Sequence, residues 1–209
     1  MRSKQGMVIV VALALLVLGT GSALAQPAEP AWSLGASLYS YFPPDSQNYL
    51  QPTIRADRDW LHLETRYNYE ALQTGSVWIG YNFSVGNELK LDFTPMLGAV
   101  SGKTNGLAPG FEATLTWRKL QFYGEAEYVL DKDNSADSYF YMWSELTYAP
   151  SDWFRFGLVG QRTRAYQTDV ETQRGLLARF TYKKADLTAH VFNPGTDYPT
   201  YVLSVGVSF

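Results

Sequence analysis

The 209-residue chain contains no cysteine. That excludes a disulfide framework and a thiol-linked lipid anchor. Histidine is scarce as well, with His62 and His190 alone, so the base that acyl-transfer chemistry most often uses is nearly missing. Beyond the first two dozen residues, no apolar run is long enough to cross a bilayer as a helix. Neither sign of charge dominates: 17 basic residues stand against 20 acidic ones, a formal net charge of −3. Nothing in that balance favours nucleic acid as a partner. Metal-ligand spacing is absent, and no cofactor is expected. Asp131, Asp133, Asn134 and Asp137 suggest a calcium loop but lack its glycine and distal glutamate. They read as a solvated loop tip.

What the chain has instead is aromatic residues, 15% of the total, including fifteen Tyr and six Trp. It also opens on an export signal. Arg2 and Lys4 precede a continuous apolar run from Met7 to Leu18, and Ala23-Leu24-Ala25 fits an A-x-A cleavage site. The expected organisation is a signal peptide over 1–25, cleaved after Ala25, a short periplasmic segment over 26–31, and one domain over 32–209. The remaining ~184 residues suffice for a single domain and leave little for a second.

Period-2 alternation runs through that domain. Twelve strands are expected: Trp32 to Tyr41, Tyr49 to Ala56, Trp60 to Ala71, Ser76 to Val85, Leu89 to Val100 and Phe111 to Arg118. The others are Leu120 to Leu130, Tyr139 to Tyr148, Trp153 to Arg164, Gly175 to Tyr182, Leu187 to Phe192 and Tyr201 to Phe209. Ten remain possible if two weak ones merge. In the third strand Leu61, Leu63, Thr65, Tyr67 and Tyr69 share one face, against His62, Glu64, Arg66, Asn68 and Glu70 on the other. Five polar residues in succession need a hydrated interior, which the core of a soluble sandwich does not offer. Pro95 in the fifth strand predicts a bulge or a missing ladder bond.

Ala56 to Asp59, Gly86 to Glu88, Arg118-Lys119, Ala149 to Asp152 and Lys183 to Asp186 read as tight turns. Phe42 to Asn48, Ser101 to Gly110, Asp131 to Ser138, Ala165 to Arg174 and Asn193 to Thr200 read as longer loops. Leu72 to Gly75 breaks the pattern as a short external loop. Short periplasmic turns and longer outer loops are the asymmetry of a membrane barrel. Trp32, Trp60, Trp117, Trp153, Tyr148, Tyr182 and Phe209 fall at the expected periplasmic strand ends, and Tyr69, Phe111, Tyr128 and Tyr201 at the outer ends. They form two aromatic girdles.

In the last strand Tyr201, Leu203, Val205, Val207 and Phe209 share the apolar face. This pattern resembles the C-terminal signal read by the bacterial barrel-assembly machinery. The whole mature chain resembles bacterial outer-membrane β-barrel proteins, and is similar in size to the twelve-stranded oligosaccharide porins. The expected fold is therefore all-β, a single antiparallel up-and-down transmembrane barrel in the outer membrane. The resemblance implies outer-membrane lipids, lipopolysaccharide among them, periplasmic chaperones and the assembly machinery as partners.

Inward parity then gives the candidate functional residues. Glu64, Glu70, Asp92, Glu112, Glu125, Glu127 and Glu145 are expected lumenal acids; Arg55, Arg66, Lys90, Arg118, Arg155 and Arg179 are expected lumenal bases. Acidic and basic sectors facing each other across water would pass small polar solutes. Alternatively, Glu145 with Arg155 or Arg179, and Glu64 with Arg66, pair and plug a lumen of roughly 12 Å backbone radius. Arg162, Arg164 and Arg174 fall on the lipid-facing row near the outer rim, placed either for lipopolysaccharide phosphates or for local pairing with Asp169 and Glu171. No catalytic residue is assigned. The expected function is a small passive pore, with a closed structural barrel as the alternative and a lipid-modifying barrel enzyme a distant third.

Overall fold

The computed structural model describes residues 31–165 and 171–209. The expected signal peptide, nearly all of the segment that follows it, and Asp169 lie outside them. Thirteen strands follow one another: β1 (Ser33–Phe42), β2 (Tyr49–Arg58), β3 (Leu61–Tyr67), β4 (Thr74–Tyr81), β5 (Phe83–Val85), β6 (Leu89–Gly102) and β7 (Gly106–Trp117). Then come β8 (Leu120–Asp131), β9 (Tyr139–Ser151), β10 (Phe154–Ala165), β11 (Glu171–Tyr182), β12 (Ala185–Phe192) and β13 (Thr200–Ser208), with one 3₁₀ turn at Ser135–Asp137.

Each strand pairs antiparallel with its neighbours, and β13 pairs with β1 from Gly35↔Ser208 to Phe42↔Tyr201. The sheet is therefore closed, without an edge to invite aggregation. β4 and β5 are two parts of one wall strand. Both pair with β6, and the register from Gly80↔Met96 to Phe83↔Phe93 is unbroken across Asn82. The wall thus has the twelve strands the alternation predicts.

Pro95 explains the break. Asn82 donates its N–H to the Trp60 carbonyl on the β3 side, at 2.7 Å. The adjacent Tyr81 therefore turns its backbone toward β6, where its register partner is Pro95, which has no N–H to give. A ladder bond is lost without a bulge, since the β6–β7 register runs straight through Pro95↔Phe111.

Alternation sorts the two faces as expected. Leu50, Ile54, Val77, Ile79, Leu97, Leu158, Leu176 and Leu203 are exposed on the outside, forming an apolar band that only lipid can cover favourably. Trp32, Trp60, Trp117, Trp153, Tyr148, Tyr182 and Phe209 are exposed at the end of the barrel where β1 begins and β13 ends. The buried residues are inside the ring. Tyr41, Trp143, Val159, Leu177, Phe192 and Val202 form one cluster, and Trp78, Met96, Val100, Ala108 and Val129 another.

Three expectations need correction. The third strand stops at Tyr67 rather than Ala71, because Asn68 takes φ 58° and Gln73 φ 60°. The Asn68 side chain holds the turn, accepting from the Gln73 N–H at 2.7 Å and donating to the Leu50 carbonyl at 2.8 Å. Residues 68–73 consequently fold in over the lumen, and Tyr69 lines it instead of joining the outer girdle. Second, most of Ser101 to Gly110 is wall. Pro109 and Gly110 sit in register opposite Leu97 and Met96. Glycine there answers a spatial demand: a Cβ on Gly106 would lie 1.9 Å from the Leu130 carbonyl oxygen, and one on Gly110 2.8 Å from that of Ala126. Third, β9 runs on to Ser151, with a register shift against β10 between Phe154 and Phe156.

Candidate functional site

The lumen holds two cavities in succession. The one nearer the start of β1 and the end of β13 has a volume of about 300 Å³, and the one at the opposite end about 320 Å³. Both are lined by Tyr41, Gln51, Tyr69 and Tyr141, so these four residues stand between them.

In the first cavity, carboxylates outnumber bases. Glu64, Glu112, Glu125, Glu145 and Asp186 line it against Arg55 and Arg179. Glu112 and Glu125 are directly opposed in the β7–β8 register, a like-charge pair that costs stability unless something positive answers it. Arg66 does so in part. Reaching in from β3, its Nη1 donates to Glu127 Oε2 on β8 at 3.0 Å and its Nε donates to Glu64 Oε1; Glu112 lies 3.8 Å from Nη2. Its guanidinium also stacks over the rings of Tyr69 and Trp78, at 4.2 and 4.6 Å. β3 and β8 are four wall positions apart, so this contact is a chord across the lumen. Glu145 forms a second node, accepting from Arg179 Nη2 at 2.8 Å, with His190 Nε2 at 3.3 Å.

The expected sectors of acid and base separated by water are therefore replaced, at Arg66 and Arg179, by direct ion pairs. Arg155 stays out of them: its Nη1 donates to Thr147 Oγ1 at 2.9 Å, and its register partner is Arg179. Lys90 and Asp92 pair with each other at 2.8 Å, half exposed, and neither lines a cavity. Arg118 is not lumenal. It occupies the tight turn after β7 with φ 55°, and its guanidinium lies 5.2 Å from the outward Trp117 ring. The turn reverses the chain at that residue, so strand parity no longer applies to it.

Both histidines are wall residues. His62 Nδ1 lies 2.8 Å from Asp57 Oδ1, and His190 stacks against Tyr39 and Phe192. Ser204 is in register with Thr188, while His190 faces Val202. In the 131–137 loop, Asp131 Oδ1 accepts from the N–H groups of Asp133 and Asn134, so that carboxylate is used to close a turn. Arg162 and Arg174 are exposed on the outer face of β10 and β11. The Arg164 side chain lies outside the described residues.

The feature absent from the sequence-derived site is its tyrosine lining. Tyr39, Tyr41, Tyr69, Tyr123 and Tyr141 line the first cavity, and Tyr41, Tyr49, Tyr69, Tyr139 and Tyr141 the second. Except for Tyr69, each sits on an inward parity position. The same alternation that located the charges would have located these rings.

No protein-family model matches the chain, and no curated protein matches it. Among solved structures it is similar to a KdgM porin, with a TM-score of 0.59 over 84% of this chain and 99% of that one, at 10% identity. A KdgM porin in complex with disordered oligogalacturonate matches with the same values. At that identity the likeness shows the fold: the chain is a closed antiparallel β-barrel of twelve wall strands.

Proposed function

We propose that this chain is a narrow passive pore of the outer membrane, admitting small polar solutes and preferring cations. The observation that carries the reading is the pair of lumenal cavities that share Tyr41, Gln51, Tyr69 and Tyr141 as lining inside a closed wall. The surplus of carboxylates around the first cavity gives the sign of the preference, since a ring of acidic side chains attracts cations and repels anions. One similar structure was determined with oligogalacturonate, a polyanion. The carboxylate surplus here opposes such a solute, so the shared fold does not carry the shared ligand. Arg162 and Arg174 extend the reading to the lipid side, where guanidinium groups on the outer rim suit the phosphates of lipopolysaccharide.

Reconstitution in planar bilayers tests the pore. A small discrete conductance is expected, with a reversal potential on the cation side, and Glu125→Gln with Glu127→Gln should move it toward zero. A closed structural barrel is the competing reading, favoured by the Arg66 chord. It predicts no conductance, together with a loss of thermal stability in the same double variant.

A further inference from the structure

The first cavity holds two opposite charges that do not meet. Arg55 on β2 and Asp186 on β12 both line it, and neither forms an ion pair among the described residues. Other lumenal charges are engaged. Arg66 is taken by Glu64 and Glu127 and Arg179 by Glu145, while buried Glu70 accepts from Ser76 Oγ and Trp78 Nε1. Arg55 points inward yet is exposed, and its guanidinium makes no hydrogen bond among the described residues. Its Nε lies against Gly35, 2.9 Å from where a Cβ on that residue would stand. Asp186 mirrors it on the other side of the seam between β1 and β13. Its Oδ1 accepts from Thr181 Oγ1 at 2.6 Å. Its Oδ2 has no donor among the described residues and lies 3.9 Å from where a Cβ on Gly206 would stand.

Each charge leans over its own register partner, since Arg55 faces Gly35 and Asp186 faces Gly206. The two glycines are diagonal neighbours across the seam. Gly35 pairs with Ser208 and Ser37 with Gly206, which sets the glycines roughly 7–8 Å apart. Gly35, Ser37, Ser204 and Gly206 all line the cavity, so the floor between the charges carries no bulky side chain. A solute with one charge satisfies one side only. An α-amino acid carries ammonium and carboxylate on one carbon, and a charge-assisted hydrogen bond of about 2.8 Å at each end lets that head span a gap of this order. It has no net charge, so the acidic surplus around the cavity does not repel it as it repels an anion. We propose that the seam between β1 and β13 carries a binding site for the zwitterionic head of a free amino acid, with its carboxylate on Arg55 and its ammonium on Asp186. The site rests on the pore reading for its role, as the point where solutes are selected, but binding itself does not require conduction.

The test is isothermal titration of the purified barrel in detergent with alanine, and with ethylamine and propionate, which each carry one of its two charges. Saturable binding of alanine is expected, with ethylamine and propionate weaker by about tenfold or more. Arg55→Gln and Asp186→Asn should each weaken alanine binding by about tenfold or more. Lys90→Gln removes a cation that lines neither cavity and should leave binding within about threefold. Circular-dichroism melting confirms that each variant is folded. Absence of alanine binding to the folded wild type overturns the proposal, as does ethylamine or propionate binding as tightly. Unchanged binding in Arg55→Gln or Asp186→Asn overturns it too, and so does an equal loss in Lys90→Gln, which would assign the effect to the general field of the lumen. Conductance without alanine binding would sink this site and spare the pore; alanine binding without conductance would do the reverse.

Discussion

At Arg66 a single guanidinium meets two buried carboxylates and two aromatic faces. Removing it leaves Glu64 and Glu127 without their common counterion inside the ring. Breaking one partner of a buried pair costs about 3–5 kcal/mol, so Arg66→Gln should lower unfolding stability in detergent by that order. A loss within the roughly 0.5 kcal/mol of an ordinary surface substitution would show that the chord is not a structural tie. Gly98 is the complementary case. A Cβ there meets the Trp78 ring, and overpacking of this kind costs about 1–3 kcal/mol. Gly98→Val should therefore destabilise the barrel, and adding Trp78→Leu should recover part of the loss.

At the scale of the strand, β4 and β5 are separated by one missing bond. Pro95→Val supplies the absent N–H opposite Tyr81 without changing the outward, apolar character of the position. Amide exchange at Phe83 should then slow, because the ladder becomes continuous. Unchanged exchange would assign the break to Asn82. β13 raises a different question, since it closes the ring against β1 and the Phe209 N–H donates to the Leu34 carbonyl at 2.8 Å. Burial alone makes Phe209→Asp worth roughly 2–3 kcal/mol. The assembly-signal reading expects a large defect in cells with near-normal refolding into detergent, and equal defects in both assays would contradict it. The strands themselves were legible because one face carries the outer apolar band and the other the lumen's polar and aromatic lining, which enforces period-2 alternation. Their ends were less so. Gly106, Pro109 and Gly110 look like loop residues in isolation, yet two of them serve the wall by leaving room for close contacts.

For the whole molecule, the all-β barrel and its outer apolar band followed from alternation, which left twelve or ten strands open; the closed sheet has twelve wall strands. The lumen's chemistry followed only in part, because parity says which residues point inward but not which of them meet. The Arg66–Glu127 contact joins residues 61 positions apart, and only the curvature of the closed sheet brings them together. The inward fold of residues 68–73, which places Glu70 and Tyr69, depends on two left-handed residues that carry little sequence signal. Orientation can be read directly. Cysteine at Asn134 or Tyr198 should be labelled on intact cells by an impermeant thiol reagent and cysteine at Asn87 should not, whereas the reverse pattern would invert the barrel. The central claim is a narrow, cation-preferring lumen, and the reversal potential of single channels in a salt gradient measures it most directly. A potential on the cation side that falls toward zero in Glu125→Gln with Glu127→Gln is the predicted result; an anion-side potential, or no channels from a folded barrel, would contradict it.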